Sequence, residues 1–308
     1  MADMRDLYPT RKGTEPDVRH RQDPVVYSDW SEDAPLSRDE YEIYRDRGFL
    51  FLPGLFKADE LKSLLDESAR LRTSPDALED ETLITEPDSG DVRSIFSLHR
   101  QSEIMHRLAS DERLAGLARF LLADDVYIHQ SRLNYKPGFR GKEFYWHSDF
   151  ETWHAEDGMP RMRALSMSLL LTDNEPHNGP LMLMPGSHKT FIGTVGETPD
   201  DNYKSSLKVQ ETGVPDDASL EKLYGEYGLE TPTGPAGSLL IFDCNTMHGS
   251  ASNISPLPRS NAFFVFNAVS NKLVAPFSAG KPRPEFVGAR KHVEAIEVIG
   301  RKERPLAA

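Results

Sequence analysis

Residues 143–154 read EFYWHSDFETWH. Residues two apart on a strand or its immediate extension project to the same side, so His147 and Asp149 can converge on one ion. A third ligand must then come from a distant part of the chain, and His248, followed eleven positions later by Arg259, is the candidate. Two imidazoles and one carboxylate on one face leave coordination positions open, which is how non-haem Fe(II) sites admit a co-substrate and oxygen. A second strand returning beside the first would deliver His248. The expected fold is therefore mainly β with flanking helices, a double-stranded β-helix (jelly-roll or cupin-like) barrel. A bare His-x-Asp pair usually belongs to a solvated surface, so its surroundings must decide.

Those surroundings carry a resemblance. The run FYWHSDFETWHAEDGMPRMRALSMSLLLTDN (144–174), the run HNGPLMLMPGSHK (177–189) and MHGSASN around His248 resemble the ectoine hydroxylases of the phytanoyl-CoA-hydroxylase-like family. These are iron- and 2-oxoglutarate-dependent dioxygenases. The resemblance extends from PLSRDEYEIYRDRGFLFLPGLF (35–56) to about Asn267. The His-x-Asp pair and the distant His are general to the superfamily, whereas FYWHSDFETWHAEDGMP is far more specific.

The bounding properties agree. A chain of 308 residues suffices for one large domain with a buried core. With 36 basic against 49 acidic residues and a net charge of −13, it is a poor partner for nucleic acid or an anionic membrane, and small solutes remain. The single Cys244 excludes a disulfide framework and suits a reducing cytoplasm. Its bland reading, a small buried apolar group, is the commoner one. The N-terminal stretch is charged throughout, unlike a signal peptide or a membrane span, so a cytoplasmic location is expected.

Along the chain, residues 1–35 are polar and proline-bearing and read as an arm over the body. Ser37-Arg-Asp-Glu40 has the form of a capping box ahead of a helix that runs into the strand FLFL. Ala58 to Leu71 reads as an amphipathic helix with Leu61, Leu64, Leu65 and Ala69 inward. Thr73 to Asp91 reads as an acidic surface loop, with a lid over the site as the rarer alternative. Ser102 to Ala123 gives two short helical patterns broken near Ser110-Asp111. Ala164 to Thr172, Leu181 to Met184, Ser238 to Phe242 and Asn261 to Val269 read as strands. Residues 185–235 read as a polar insertion at the barrel rim, and 275–308 as a C-terminal extension of the same single domain.

Asp125 to Lys136 alternates, with Gln130, Arg132, Asn134 and Lys136 on one face. Such alternation often marks only a half-buried strand, but an all-polar face beside a metal motif suits a wet cavity for charged small molecules. Arg259, Asn261 and Phe263 share strand parity, and a guanidinium grips a carboxylate through two parallel hydrogen bonds that lysine cannot reproduce. The resemblance implies roles for these positions: Lys136, Asn134, Ser250 and Arg259 toward 2-oxoglutarate, and Gln130, Trp153, Phe242, Asn261 and Phe263 toward ectoine. Ectoine is a cyclic amidine bearing a carboxylate, so aromatic faces and hydrogen-bond donors suit it. A lone aromatic is more often core than cage. His154 is set aside as structural, because the triad is complete without it and the open positions must stay open.

The resemblance further implies hydroxylation of ectoine to 5-hydroxyectoine at Fe(II), with O2 and 2-oxoglutarate consumed and succinate and CO2 released, in a homodimer. The retained Asp149 argues against halogenation, since the related halogenases lack that carboxylate. Two rivals stand beside this reading: a hydroxylase of another small zwitterion, and a non-catalytic metal-binding barrel.

Overall fold

The computed structural model describes residues 5–73, 80–86, 90–300 and 306. In chain order its regular elements are β1 (Asp17–His20), α1 (Arg38–Arg47), β2 (Phe49–Leu52), α2 (Ala58–Thr73), β3 (Leu83–Thr85), β4 (Val92–Phe96), α3 (Leu98–Gln101), α4 (Glu103–Ser110), α5 (Leu117–Leu122), β5 (Val126–Lys136), β6 (Phe144–His147), α6 (Asp149–Thr152), β7 (Ala164–Leu170), β8 (Leu181–Leu183), β9 (Thr190–Gly193), α7 (Tyr203–Ser206), α8 (Asp217–Tyr227), β10 (Leu239–Asp243), β11 (His248–Ser250) and β12 (Arg259–Ala268). A seven-stranded antiparallel sheet runs β2-β10-β7-β12-β5-β4-β3, opposed by a three-stranded sheet β6-β11-β8. This is the double-stranded β-helix that the sequence leads one to expect.

Period-2 alternation sorts the large sheet into two chemistries. Its outer face supplies Leu133, Leu165, Met167, Ile241, Phe264 and Phe266, all fully buried against Leu64, Leu108, Leu114 and Leu121 of the helical layer. At about 1.5–3 kcal/mol for each large apolar side chain removed from water, this face anchors the fold. The inner face carries the polar residues that concern function. A bulge in the β5–β12 ladder shifts the register between Val265 and Phe266, leaving His129 as the extra residue and re-aiming Gln130.

Local signals in the sequence are met at α1. Ser37 caps it, accepting from the Glu40 amide while Glu40 reaches back to the Ser37 amide. Gly48 ends the helix at φ 77, and a Cβ there would stand 2.3 Å from His188 Nδ1 and 2.8 Å from Thr246 Oγ1. Two expectations need correction. The buried face of α2 is Leu61, Leu64, Ser68 and Leu71, with Leu65 and Ala69 exposed, because the helix turns the Leu64–Leu71 side rather than the Leu65–Ala69 side toward its packing neighbours, α4 among them. The acidic segment after Thr73 is not all loop: Leu83–Thr85 pairs antiparallel with β4 at the sheet edge, while Pro75 and Pro87 lie outside the described residues.

The N-terminal arm pairs through β1 with β9, and Tyr8 and Arg11 are buried. The polar stretch 185–235 carries β9, α7 and α8. No described helix is long and apolar enough to cross a membrane.

Candidate metal centre

His147 ends β6 and His248 opens β11, and the two are direct partners across that antiparallel pair. Their ring centroids lie 4.3 Å apart. Asp149 is not on the strand. Ser148 breaks it and caps α6, accepting from the Glu151 amide, which makes Asp149 the first residue of the helix. From there its Oδ1 stands 3.8 Å from His147 Nε2 and 4.0 Å from His248 Nε2. These separations exceed hydrogen-bond lengths and suit an ion held by bonds of roughly 2 Å to each donor. Among the described residues this is the one group of His, Cys, Asp or Glu whose ligand atoms converge within 4.8 Å.

The surrounding bonds prepare those atoms as ligands. Nδ1 of His147 faces the Tyr145 carbonyl at 2.7 Å and Nδ1 of His248 faces the Thr246 carbonyl at 2.9 Å. With each Nδ1–H donating, each Nε2 lone pair points toward Asp149. Burial, reinforced by the neighbouring His248, holds His147 down at about 4, so it is neutral near pH 7. Burial alone would raise Asp149, but His248, His147, Arg132 and the Ser166 hydroxyl hold it below the usual carboxylate range. That hydroxyl donates to Asp149 Oδ2 at 3.0 Å, leaving Oδ1 as the free oxygen. Two imidazoles and one carboxylate, each oriented from behind, fit Fe(II).

The inner face of the large sheet forms the floor. Cross-strand pairing puts Ser166, Val265 and Gln130 in one row, Ser168, Phe263 and Arg132 in the next, then Asn261, Asn134 and Ser94, and last Arg259 opposite Lys136. Lys136 Nζ donates to Ser250 Oγ at 2.9 Å and to the Ala251 carbonyl at 2.6 Å. Burial, with Arg259 and Arg93 adding to it, brings Lys136 down to about 6. Arg259 is buried and has no hydrogen-bond or ion-pair partner among the described residues, and burial alone holds it down at about 10. Asn134 Oδ1 accepts from Ser94 Oγ at 2.9 Å. Asn261 donates to Ser168 Oγ at 2.8 Å, and its own Oδ1 is buried without a partner.

A cleft opens beside His147 and Asp149, lined in part by these two and by Gln130, Arg132, Trp153 and Phe144. Gln130 Nε2 donates to the Val287 carbonyl at 2.7 Å, and its Oε1 accepts from Arg132. Phe242 packs 4.9 Å from the His248 ring and 6.3 Å from Phe263. Phe242, Asn261, Phe263, Lys136, Ser250 and Arg259 lie off the open cleft, deeper on the floor and on β11. His154 lies outside the triad: it is bonded to the Met159 carbonyl and Asp6 and stacked 3.9 Å from Phe277.

The sequence puts Arg132 on the polar face without a role of its own and gives no sign of Glu156 and Arg283; all three line the cleft. Arg132 shares parity with Gln130 and stands 4.9 Å from the Phe263 ring, so alternation was a sufficient signal for it. Arg283 is held by Asp157 through contacts of 2.8 and 2.5 Å from 126 positions away, a pairing no local pattern announces.

A double-stranded β-helix with two histidines and an aspartate converging at the mouth of a polar-floored cleft defines a non-haem iron, 2-oxoglutarate-dependent dioxygenase. The chain belongs to the phytanoyl-CoA dioxygenase (PhyH) family, which its residues 44–261 match. The ectoine dioxygenase of Sphingopyxis alaskensis is 57% identical over 295 residues, covering 96% of this chain and 96% of that protein. The ectoine dioxygenase of Stutzerimonas stutzeri is 54% identical, covering 95% of this chain and 97% of that protein. The crystal structure of EctD from S. alaskensis with 2-oxoglutarate and 5-hydroxyectoine is similar at a TM-score of 0.90 and 52% identity, covering 98% of this chain and all of that one.

Proposed function

We propose that this protein hydroxylates ectoine to 5-hydroxyectoine, consuming O2 and 2-oxoglutarate and releasing succinate and CO2. The observation that carries the reading is the convergence of His147, Asp149 and His248 on one ion-sized gap at the cleft, in a chain 57% identical to an ectoine dioxygenase over 96% of its length. Fe(II) bound by these three residues would supply oxygen activation coupled to the oxidative decarboxylation of 2-oxoglutarate.

The chain's own residues do the positioning. Arg259, buried without an anion, is placed to grip the far carboxylate of 2-oxoglutarate in a forked pair. Lys136 and Ser250 stand beside it as donors, and Asn134 lies one row nearer the triad. On the substrate side, Gln130 and Trp153 wall the cleft, with Phe242, Phe263 and Asn261 on the floor. Aromatic faces suit the delocalised amidinium.

The protein is proposed to act in the cytoplasm, in the biosynthesis of a compatible solute under osmotic stress, as a homodimer with one catalytic domain in each protomer. The lone buried thiol of Cys244 and the net charge of −13 support the compartment. Light scattering decides the dimer, reading one or two multiples of 34.7 kDa.

The test of the reaction is anaerobic loading with Fe(II) and 2-oxoglutarate, then oxygen exposure with and without ectoine, quantifying succinate and 5-hydroxyectoine. Equal amounts, both dependent on ectoine, are expected. Succinate formed equally without ectoine would sink the substrate, and iron binding without turnover would sink the enzyme.

A further inference from the structure

We propose that Arg11, on the N-terminal arm, is a positioning residue for the substrate wall of the cleft: it holds the helical segment 149–157 in register with the segment 195–213 that packs over it. The proposal rests on the reading of this cleft as the ectoine site.

Arg11 is 5% exposed although it lies in a polar arm, and its φ of 54 is in the left-handed region that an arginine rarely adopts. Such a conformation persists only where the surroundings over-determine it. Here they do. The Arg11 amide donates to the Thr194 carbonyl at 2.7 Å, and the Thr194 amide to Thr10 Oγ1 at 2.9 Å. The guanidinium then divides: Nε and Nη2 bind both oxygens of Glu151 at 3.0 and 2.8 Å, while Nη1 binds Glu156 Oε1 at 2.7 Å and Thr198 Oγ1 at 2.9 Å.

Glu151 and Glu156 are five residues apart, and a helix of 3.6 residues per turn would set them on different faces. Glu151 instead lies in α6 and Glu156 in the π-helical turn Trp153–Asp157 that follows it, whose wider winding carries Glu156 round toward the side of Glu151. The Arg11 fork fits that winding, and a lysine, a single point charge on a flexible stem, cannot span both carboxylates. Glu156 also accepts from Asn202 Nδ2 at 2.8 Å. Gly213 backs so closely onto this hub that a Cβ would stand 2.4 Å from Glu151 Oε2 and 2.7 Å from Arg11 Nη2.

The hub reaches the cleft from two sides. Thr152, Trp153 and Glu156 line it from the helical segment, and Asn202 and Thr212 from the covering one. The iron end is secured separately, since Asp149 is bonded by Ser166 and its helix is capped by Ser148. Loosening Arg11 is therefore a disturbance of substrate placement ahead of metal binding.

The test is Arg11→Lys, which keeps the charge and loses the fork. Relative to wild type, the ectoine KM is expected to rise about fivefold or more and 5-hydroxyectoine per succinate to fall below parity, with Fe(II) affinity and the 2-oxoglutarate KM within about twofold. In hydrogen exchange, amides in 149–157 and 195–213 are expected to exchange faster while those of β5, β7 and β12 do not change. Reduced activity with an unchanged ectoine KM and unchanged coupling would mean a purely structural role and overturn the proposal, as would unchanged exchange in both segments. If Arg11→Lys does not fold, Thr198→Val, which deletes one Arg11 bond to the covering segment, is read by the same exchange measurement with the same two outcomes. Absence of ectoine-dependent succinate in the wild-type protein would remove the substrate reading and leave the exchange result to judge the arm.

Discussion

Arg259 is a buried guanidinium with no anion beside it, opposite a lysine that burial has pulled down to about 6. Uncompensated buried charge is costly, so these residues oppose stability in the ligand-free protein. Arg259→Met is expected to raise the melting temperature without 2-oxoglutarate while abolishing its binding; a lowered melting temperature would show that the site contains no such strain. Arg259→Lys keeps the charge and loses the forked pair, a loss of about 1.5–3 kcal/mol that should raise the 2-oxoglutarate KM roughly ten- to a hundredfold at unchanged ectoine KM. Lys136 gives a pH prediction. Its folded value of about 6 lies below the ordinary 10.5, so between these limits the unfolded chain binds more protons and this residue's contribution makes stability rise with pH. Its penalty is fully present below about 6 and is relieved as pH rises toward 10.5. A 2-oxoglutarate carboxylate beside it favours the ammonium, so binding above pH 6 should take up a proton and weaken as pH rises. Calorimetry in two buffers of different ionisation enthalpy reads that uptake, and identical heats in both would contradict it.

At the scale of elements, the triad depends on how α1 hands over to β2. Gly48 turns the chain at φ 77, and its carbonyl accepts from both the Asp243 amide and Thr246 Oγ1 at 2.8 Å. Thr246 in turn orients His248. Gly48→Ala combines a left-handed residue with a Cβ 2.3 Å from His188 Nδ1. A loss of about 2–4 kcal/mol is expected by chemical denaturation, with weaker Fe(II) binding in anaerobic titration. Stability lost at unchanged iron affinity would break the link from this turn to His248. What could be read in the sequence follows the same division. β5 was legible because polar residues recur at every second position from Gln130 to Lys136, and the pairing of His147 with His248 followed from asking which strand could return a third ligand. The inward face of α2 was only partly legible: Leu61 and Leu64 are buried, but apolar spacing leaves Leu65 as eligible as Leu64, and only the packing of the helix against its neighbours chooses between them. β3 was missed because a three-residue edge strand carries too little pattern to rise above an acidic loop. Arg11 meets Glu151 across 140 positions and Arg283 meets Asp157 across 126, so no window of sequence contains either pair.

For the whole molecule, charge divides into two populations that salt treats differently. The interior holds compact ion pairs: Arg11 with Glu151 and Glu156, Arg21 with Asp243, Arg93 with Glu86 and Arg283 with Asp157, with side chains no more than 7% exposed. These lie within 3.0 Å of their partners and are little affected by mobile ions. The remaining acidic excess stands mostly at the surface and gives the net charge of −13, which repels itself over the compact shape. Screening shortens the reach of that repulsion from about 30 Å at ~0.01 M salt to about 3 Å at ~1 M, while leaving the buried pairs intact. The melting temperature is therefore expected to rise with added sodium chloride and to level off once the screening length falls below the spacing of surface carboxylates. A melting temperature that falls with salt would mean that exposed pairs such as Lys62–Asp66 and Arg70–Glu67 outweigh the net repulsion. The expected sign follows because exposed pairs contribute only about 0–1 kcal/mol each and are screened along with it.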